Sequence, residues 1–451
     1  MSVDHLDRAG GPPPGAPPQE TEPRGGGRPP RRRLLRGAAL AMALVLVLGV
    51  AVALAGGPRR AVDAVSADPA LAQSDQTMLE DLWLGYRDDF LEEGTRRTVD
   101  PVDGGITTSE GQSYTMMRAV WSDDQQTFDD SWQWAKDNLQ RPDGLLSWRF
   151  GPLTDSPDGA YGIQTDRGGQ NTASDADVDV AFALLMAHSR WKDDAYLYDA
   201  LPLVSAIWQA EVVEVAGRPV LVANDLERND TSSVLVNPSY FAPYAFRAFA
   251  HVDPEHDWDG LVDNTYTVLE QLSTEQVGDG PEAAGVGLVP DWVRLDRETG
   301  QALPADLAAT SGGSGTDFGY EGLRLPWRLS LDHLWHGEPR ALALLQQQAP
   351  VLAAARNDAG ELPAVYQRDG QRAVDYTSVA MAGGAIGALD AADPRAADEV
   401  YRTQLRSQYD ADLRRTPERL GYYDANWLWF GTALHLGALP NLNSSPGSDV
   451  P

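Results

Sequence analysis

From Thr77 onward, apolar residues recur at helical spacing in a dozen segments, each about 12 to 20 residues long and bounded by Gly, Pro, Asp or Asn clusters. Strand alternation is scarce. The segments run over 77–91, 110–122, 126–140, 174–191, 196–214, 237–252, 258–273, 319–335, 338–357, 375–392, 396–413 and 422–438. Twelve helices pair into six hairpins, and a closed ring of hairpins needs one set that is apolar all round and another with a charged outer face. The chain supplies both kinds: Val178–His188 and Ser378–Leu389 are almost uncharged, whereas 396–413 is rich in Asp, Glu and Arg. The spacing therefore predicts an all-α fold.

Two long connections break the rhythm, residues 141–173 and 274–318. Connections of that length in a compact domain are usually functional or carry small elements of their own. Both lead toward helices that begin with carboxylates, so they are expected to shape one end of the ring into a cleft.

The first 60 residues stand outside this pattern. Residues 1–33 are rich in Pro, Gly and Arg and have too few large apolar side chains to offset the entropy of ordering, so disorder is expected. From Gly37 to Gly57 runs an uncharged, almost wholly apolar stretch of 21 residues, preceded by Arg31, Arg32, Arg33 and Arg36. A transmembrane helix over 34–57 fits that length, and the arginines favour a cytoplasmic N-terminus. The folded part would then face outward at the cell membrane. A cleavable signal peptide also fits, with Ala53-Leu54-Ala55 as the small-residue site, and would make the protein secreted. The expected organisation is a disordered segment 1–33, the membrane helix 34–57, a linker 58–74, a helical domain 75–440 and a disordered tail 441–451.

Composition narrows the chemistry. Residues 1–60 hold nine of the 36 basic and four of the 66 acidic residues, leaving 27 and 62, a formal charge of −35 for the remainder. Such a surface repels nucleic acid and anionic lipid. With no cysteine in the chain, thiol redox and thiolate-metal chemistry are excluded. The seven scattered histidines form no His-Glu-x-x-His, and His333 and His336 share a helix side as surface residues. Asp175, Asp177 and Asp179 have the spacing of a calcium loop, but Val180 stands where the sharp-turn Gly belongs and Met186 where the bidentate Glu belongs. No metal or cofactor is expected.

Carboxylates gather where loops run into helices. Glu110 follows Thr107-Thr108-Ser109, in the first turn of a helix that Thr107 or Ser109 would cap, a place where Glu is favoured by the helix dipole alone. Ala173-Ser174-Asp175-Ala176-Asp177 opens a second helix. The latter segment, followed by Ala181, Leu184, Ala187 and Trp191, resembles the signature of glycoside hydrolase family 8, departing at Val180. Ser109-Glu110-Gly111-Gln112-Ser113-Tyr114 resembles the segment of that family which carries its general acid. Further similarities follow in order at Asp143-Gly144-Leu145-Leu146-Ser147-Trp148, Asn237-Pro238-Ser239-Tyr240, Gly319-Tyr320-Glu321-Gly322-Leu323-Arg324 with Pro326-Trp327-Arg328, and Tyr422-Tyr423-Asp424.

The resemblance covers about residues 75–440 and implies an (α/α)6 barrel that hydrolyses β-1,4-linked glycans with inversion, as a bacterial endo-β-1,4-glucanase of the cellulase type. It assigns Glu110 as general acid, Asp175 as the residue that grips and distorts the central sugar, and the segment around Glu321 as carrier of the general base. Trp148, Tyr240, Tyr422, Tyr423 and Trp427 are implied as sugar contacts, and Arg324 as a donor beside the base. Cellulases of the family have Asp where this chain has Glu321, and Gly322 replaces another small residue. The longer arm leaves three readings open: a working base, a shifted substrate such as chitosan or xylan, or a weakened enzyme that binds glycan. Asp317 is the reserve candidate for the base. The expected partners are a β-linked polysaccharide and a polysaccharide synthase in the same membrane, with the protein a monomer.

Overall fold

The computed structural model describes residues 69–443 except 155, 157–158, 281–282 and 306–315. The expected disordered segment, the expected membrane helix and most of the tail lie outside these residues. Among the described residues no helix is long and apolar enough to cross a membrane.

Twelve α-helices are present among the described residues: α1 (Pro69–Phe90), α2 (Ser109–Trp121), α3 (Gln125–Asn138), α4 (Ser174–Trp191), α5 (Asp194–Glu211), α6 (Pro243–Val252), α7 (Trp258–Thr274), α8 (Arg324–His336), α9 (Pro339–Ala354), α10 (Val379–Ala392), α11 (Pro394–Val400) and α12 (Tyr422–His435). The even-numbered helices pack in order, α2 on α4, α4 on α6 and so on to α10 on α12, and α12 returns to α2. That closes a ring of six. The odd-numbered helices lie outside it, each against inner neighbours, an arrangement consistent with an (α/α)6 barrel.

Burial follows the predicted division. Every residue of α4 from Ser174 to Ala187 is buried, as is every residue of α10 from Ala380 to Leu389. Helix α10 achieves this with small residues. A Cβ at Gly383 would stand 2.0 Å from the carbonyl oxygen of Trp427, and one at Gly431 would stand 2.3 Å from Cα of Gly383. The backbones of α10 and α12 therefore touch, which only glycine allows.

Strands are scarce and short, as expected. Among the described residues eight short strands occur, each of two to four residues and all in connections between helices. β1 (Thr107–Thr108), β2 (Arg149–Pro152) and β3 (Tyr161–Ile163) form one antiparallel sheet, with Thr107 opposite Phe150 and Phe150 opposite Ile163. β6 (Ser233–Val236), β7 (Val293–Asp296) and β8 (Ala302–Pro304) form another. Each long connection thus contributes two strands to a sheet whose third strand comes from elsewhere in the chain. The predicted helix 196–214 overruns into β4 (Val212–Val215), where three β-branched residues turn the chain into a hairpin with β5 (Arg218–Leu221). The predicted helix 237–252 begins only at Pro243, because Pro238 and Pro243 divert the chain through a 3₁₀ turn over Pro238–Tyr240. The predicted helix 396–413 passes from α11 through a π-turn (Tyr401–Leu405) and a 3₁₀ turn (Arg406–Gln408) into loop. Helix α1 starts inside the expected linker.

Candidate active site

The inner helices α2, α4, α8 and α12 all present their N-terminal ends to one side of the ring, and the side chains there meet on a single guanidinium. Arg324, at the first position of α8, is 1% exposed. Its Nη1 donates to Glu110 Oε2 at 2.6 Å and to Asp175 Oδ2 at 2.9 Å, its Nη2 donates to Glu321 Oε2, and its Nε donates to Ser239 Oγ at 3.1 Å. Three of the carboxylates singled out in the sequence are therefore held by one residue.

Each carboxylate is also held from its own side. Thr108, not Thr107 or Ser109, caps α2, accepting the N–H of Gly111 at 3.0 Å, so Glu110 sits in the first turn where the helix dipole favours its charge. The Tyr422 hydroxyl donates to Glu110 Oε1 at 2.8 Å. Asp175 lies at the start of α4 and is 2% exposed, with Oδ1 buried and lacking a hydrogen-bond partner among the described residues. Burial pushes its pKa up to about 6, against the opposing pull of Arg324, with the negative charge of Glu110 adding to the rise. A buried acceptor without a donor beside a partly open carboxylate suits a hydroxyl-bearing ligand.

Glu321 projects from the turn before α8. Asn237 Nδ2 donates to its Oε2 at 2.8 Å, while Asn237 Oδ1 accepts from the backbone N and the hydroxyl of Ser239 at 3.0 and 2.7 Å. Ser239 in turn takes Arg324 Nε. Asn237, Ser239, Arg324 and Glu321 thus close a ring of hydrogen bonds around one carboxylate oxygen. Asn237 and Ser239 lie inside a motif legible in the sequence, yet their roles were not, because both polar groups act across 80-odd residues of chain. Tyr114 was missed in the same way; its hydroxyl accepts from Arg324 Nη1 at 3.5 Å.

Other expected contacts fall out differently. Trp148 is half-buried between the mouths of α2 and α4: its carbonyl accepts from Ser109 N at 3.0 Å and its N–H donates to Asn171 O at 2.8 Å. Its indole donates to Gly168 O at 2.9 Å, and the Arg149 guanidinium lies over its ring, 5.4 Å from the centroid. Tyr240 is buried beneath Arg324, 5.0 Å from guanidinium carbon to ring centroid, with the Trp292 ring against it. It steadies the arginine by a cation–π contact and is not an open sugar platform. Tyr423 donates to Tyr320 O at 2.5 Å, tying α12 to the turn that carries Glu321. Trp427 is 2% exposed and packs in the core on Tyr114, Trp327 and Phe430. Asp317 contributes its backbone carbonyl to Asp291 N at 2.7 Å. His333 is partly exposed and His336 exposed. Among the described residues no cluster of metal-ligating side chains occurs.

Residues 56–411 match Glycosyl hydrolases family 8. The chain belongs to that family. It is 28% identical to Endoglucanase A of Acetivibrio thermocellus over 351 residues, 76% of this chain and 65% of the relative. It is 30% identical to an endoglucanase of Cellulomonas uda over 250 residues, 55% of this chain and 64% of the relative. The match thus spans a little under two thirds of either relative. Among solved structures, the β-1,3-1,4-glucanase of Paenibacillus sp. X4 superposes with a TM-score of 0.66 at 21% identity, covering 82% of this chain and 93% of that one, which is a likeness of fold.

Proposed function

We propose that this protein is an inverting endo-hydrolase of β-1,4-linked glucan, cellulose-like or mixed-linkage, built on an (α/α)6 barrel. The observation that carries the reading is the convergence of Glu110, Glu321 and Asp175 on Arg324 at one end of the helix ring. Inversion needs an acid on one face of the scissile sugar and a base on the other, with room for a water. Glu110 donates its proton to the glycosidic oxygen as the C1–O bond breaks. A water held by Glu321 attacks C1 from the opposite face and gives its proton to that carboxylate, and the product emerges as the α-anomer. Exchange with solvent returns both groups to their starting states.

Arg324 opposes the rise that burial causes in the pKa of Asp175. Arg324 Nη1 is shared between Glu110 Oε2 and Asp175 Oδ2, and the unpartnered Asp175 Oδ1 is free to accept a sugar hydroxyl. Tyr422 keeps Glu110 in place meanwhile.

The test is release of reducing ends by residues 61–451 from carboxymethylcellulose and mixed-linkage glucan, beside xylan and chitosan. The endoglucanase names of the relatives support glucan; the formal charge of −35 keeps cationic chitosan as the second substrate to try. Faster cleavage of xylan or chitosan moves the substrate class. Oligosaccharide binding without product from any polymer would make this a glycan-binding protein. Turnover abolished by Glu110→Gln fixes the acid, and loss of several orders of magnitude in Glu321→Gln, with partial activity in Glu321→Asp, fixes the base. The apolar stretch 37–57, preceded by arginines, supports work at the outer face of the cell membrane, as an anchored neighbour of a polysaccharide synthase or, after cleavage, as a secreted enzyme. Fractionation of cells, with the protein in membranes or in medium, separates the two.

A further inference from the structure

Glu321 stands on a turn, and the turn has an anchor that the mechanism has not used. Asp291 is 8% exposed and lies in the long connection before β7. Its Oδ1 accepts the backbone N–H of Gly319 at 2.7 Å and that of Gly322 at 2.7 Å, the residues two before and one after Glu321. Its own N–H donates to Asp317 O at 2.7 Å, and Phe318, next in the chain, exchanges two backbone hydrogen bonds of 2.9 Å with Tyr366. The turn is therefore clamped at both ends, and one carboxylate oxygen holds the half that carries Glu321.

Both glycines are needed for that approach. A Cβ at Gly322 would stand 3.0 Å from Asp291 Oδ1 and 2.7 Å from the Phe318 ring, and a Cβ at Gly319 would stand 3.0 Å from Asp291 Oδ2. The side chain that most residues would bring to position 322 is incompatible with the clamp as it stands. The absence of a side chain there and the extra methylene of Glu321 thus occur in the same turn. Pulling the backbone toward Asp291 changes where a longer arm ends.

We infer that Asp291 is the positioning residue for the general base, fixing through Gly319 and Gly322 the turn from which Glu321 reaches the attacking water. This rests on the assignment of Glu321 as base. Asp291 touches no substrate; it acts through the backbone.

The experiment is steady-state kinetics on the chain with Asp291→Ala, Asp291→Asn and Gly322→Ala, each alone and with Glu321→Gln. Asp291→Ala should lower kcat about 100-fold, the scale of a small misplacement, with KM within about threefold. Asp291→Asn keeps an Oδ1 acceptor for both N–H groups and should stay within about tenfold of the parent. In the Glu321→Gln background Asp291→Ala should cost nothing more, because the group it positions can no longer accept a proton. A parent-like kcat in a folded Asp291→Ala protein, or an equal fold-loss in both backgrounds, overturns the inference. Where Asp291→Ala does not fold, Gly322→Ala takes its place: a loss in kcat at constant KM supports the clamp, and an unchanged kcat removes it. Near-normal turnover in Glu321→Gln itself would instead sink the base assignment, an outcome distinct from failure of the clamp alone.

Discussion

Asp179 and Arg328 form a buried two-pronged ion pair, Nη1 to Oδ1 at 2.6 Å and Nη2 to Oδ2 at 2.7 Å, one helical turn below the contact between Asp175 and Arg324. Residues four apart lie on one helix face, so α4 and α8 are joined by two Asp–Arg rungs. The upper rung belongs to the candidate site. The lower is 2% exposed on both sides, with Tyr244 OH as a further acceptor at 3.0 Å, and it fixes the register of the two helices. Arg328→Met leaves Asp179 buried without its partner, and removal of one member of a buried pair costs about 3–5 kcal/mol. Urea unfolding should show that loss. Pairing Arg328→Met with Asp179→Leu should recover much of it, since no uncompensated charge remains.

Arg324→Lys is the most informative change in the upper rung. The guanidinium reaches Glu110, Asp175, Glu321 and Ser239 from three nitrogens in one plane. An ammonium has its donors on one atom and cannot span that set. Turnover should fall by at least about 100-fold, with helical circular dichroism retained. Activity within a few-fold of the parent would show that the convergence on Arg324 does not organise the reaction.

Much of the helical framework was legible because helix periodicity reports a burial face that holds for many turns. All twelve segments exist. The errors fall at helix starts and ends, where single residues outweigh periodicity: Pro238 and Pro243 delay α6, and Val212, Val213 and Val215 end α5 in a strand. Glu110 and Asp175 were legible because helix-mouth carboxylates sit in recognisable local sequence. Their meeting on Arg324 was not, since it depends on how α8 docks across the ring. Tyr240 and Trp427 show the converse: a motif names an aromatic residue but does not say whether its face is open, and here one ring lies under Arg324 and the other in the core. Asp291 gave no periodic or motif signal, because its contacts are with backbone N–H groups, which every sequence has.

The contact between α10 and α12 predicts a steep steric response. Gly383→Ala places a methyl group where only 2.0 Å separates it from the Trp427 carbonyl oxygen, and Trp427 lies five residues past Tyr422, the hydrogen-bond donor to Glu110. Relief requires the two inner helices to part. Overpacking of this kind typically costs about 1–3 kcal/mol and sometimes more, so a lower thermal midpoint is expected together with reduced activity. Ala at Gly437, where no atom lies within 4 Å but φ is +66°, should be milder and leave activity unchanged. An unchanged thermal midpoint in Gly383→Ala would show that the two inner helices can part without cost.

Beneath Asp175 lies a second pair of carboxyls that the reaction does not use. Asp177 and Glu211 are each 0% exposed, and neither oxygen of Glu211 nor Oδ2 of Asp177 accepts a hydrogen bond among the described residues. Asp177 Oδ1 accepts from Leu146 N at 2.9 Å, which ties the pair to the connection bearing Trp148. Burial raises both pKa values, that of Glu211 to about 8, with the charges of Asp225 and Asp175 adding to the rise. A proton on one carboxyl supplies the donor the other lacks. In the unfolded chain Glu titrates near 4.3 and Asp near 3.9. Between those values and about 8 the folded state therefore binds more protons than the unfolded one. Stability is then full below about pH 4 and falls as pH rises, by up to about 1.4 kcal/mol per pH unit for one proton. Glu211→Gln is neutral at every pH and carries its own N–H donors toward Asp177, so it should flatten that decline. Urea midpoints at pH 5, 6.5 and 8 for the parent and Glu211→Gln decide the matter, and an unaltered slope in the variant would remove the pair as its source.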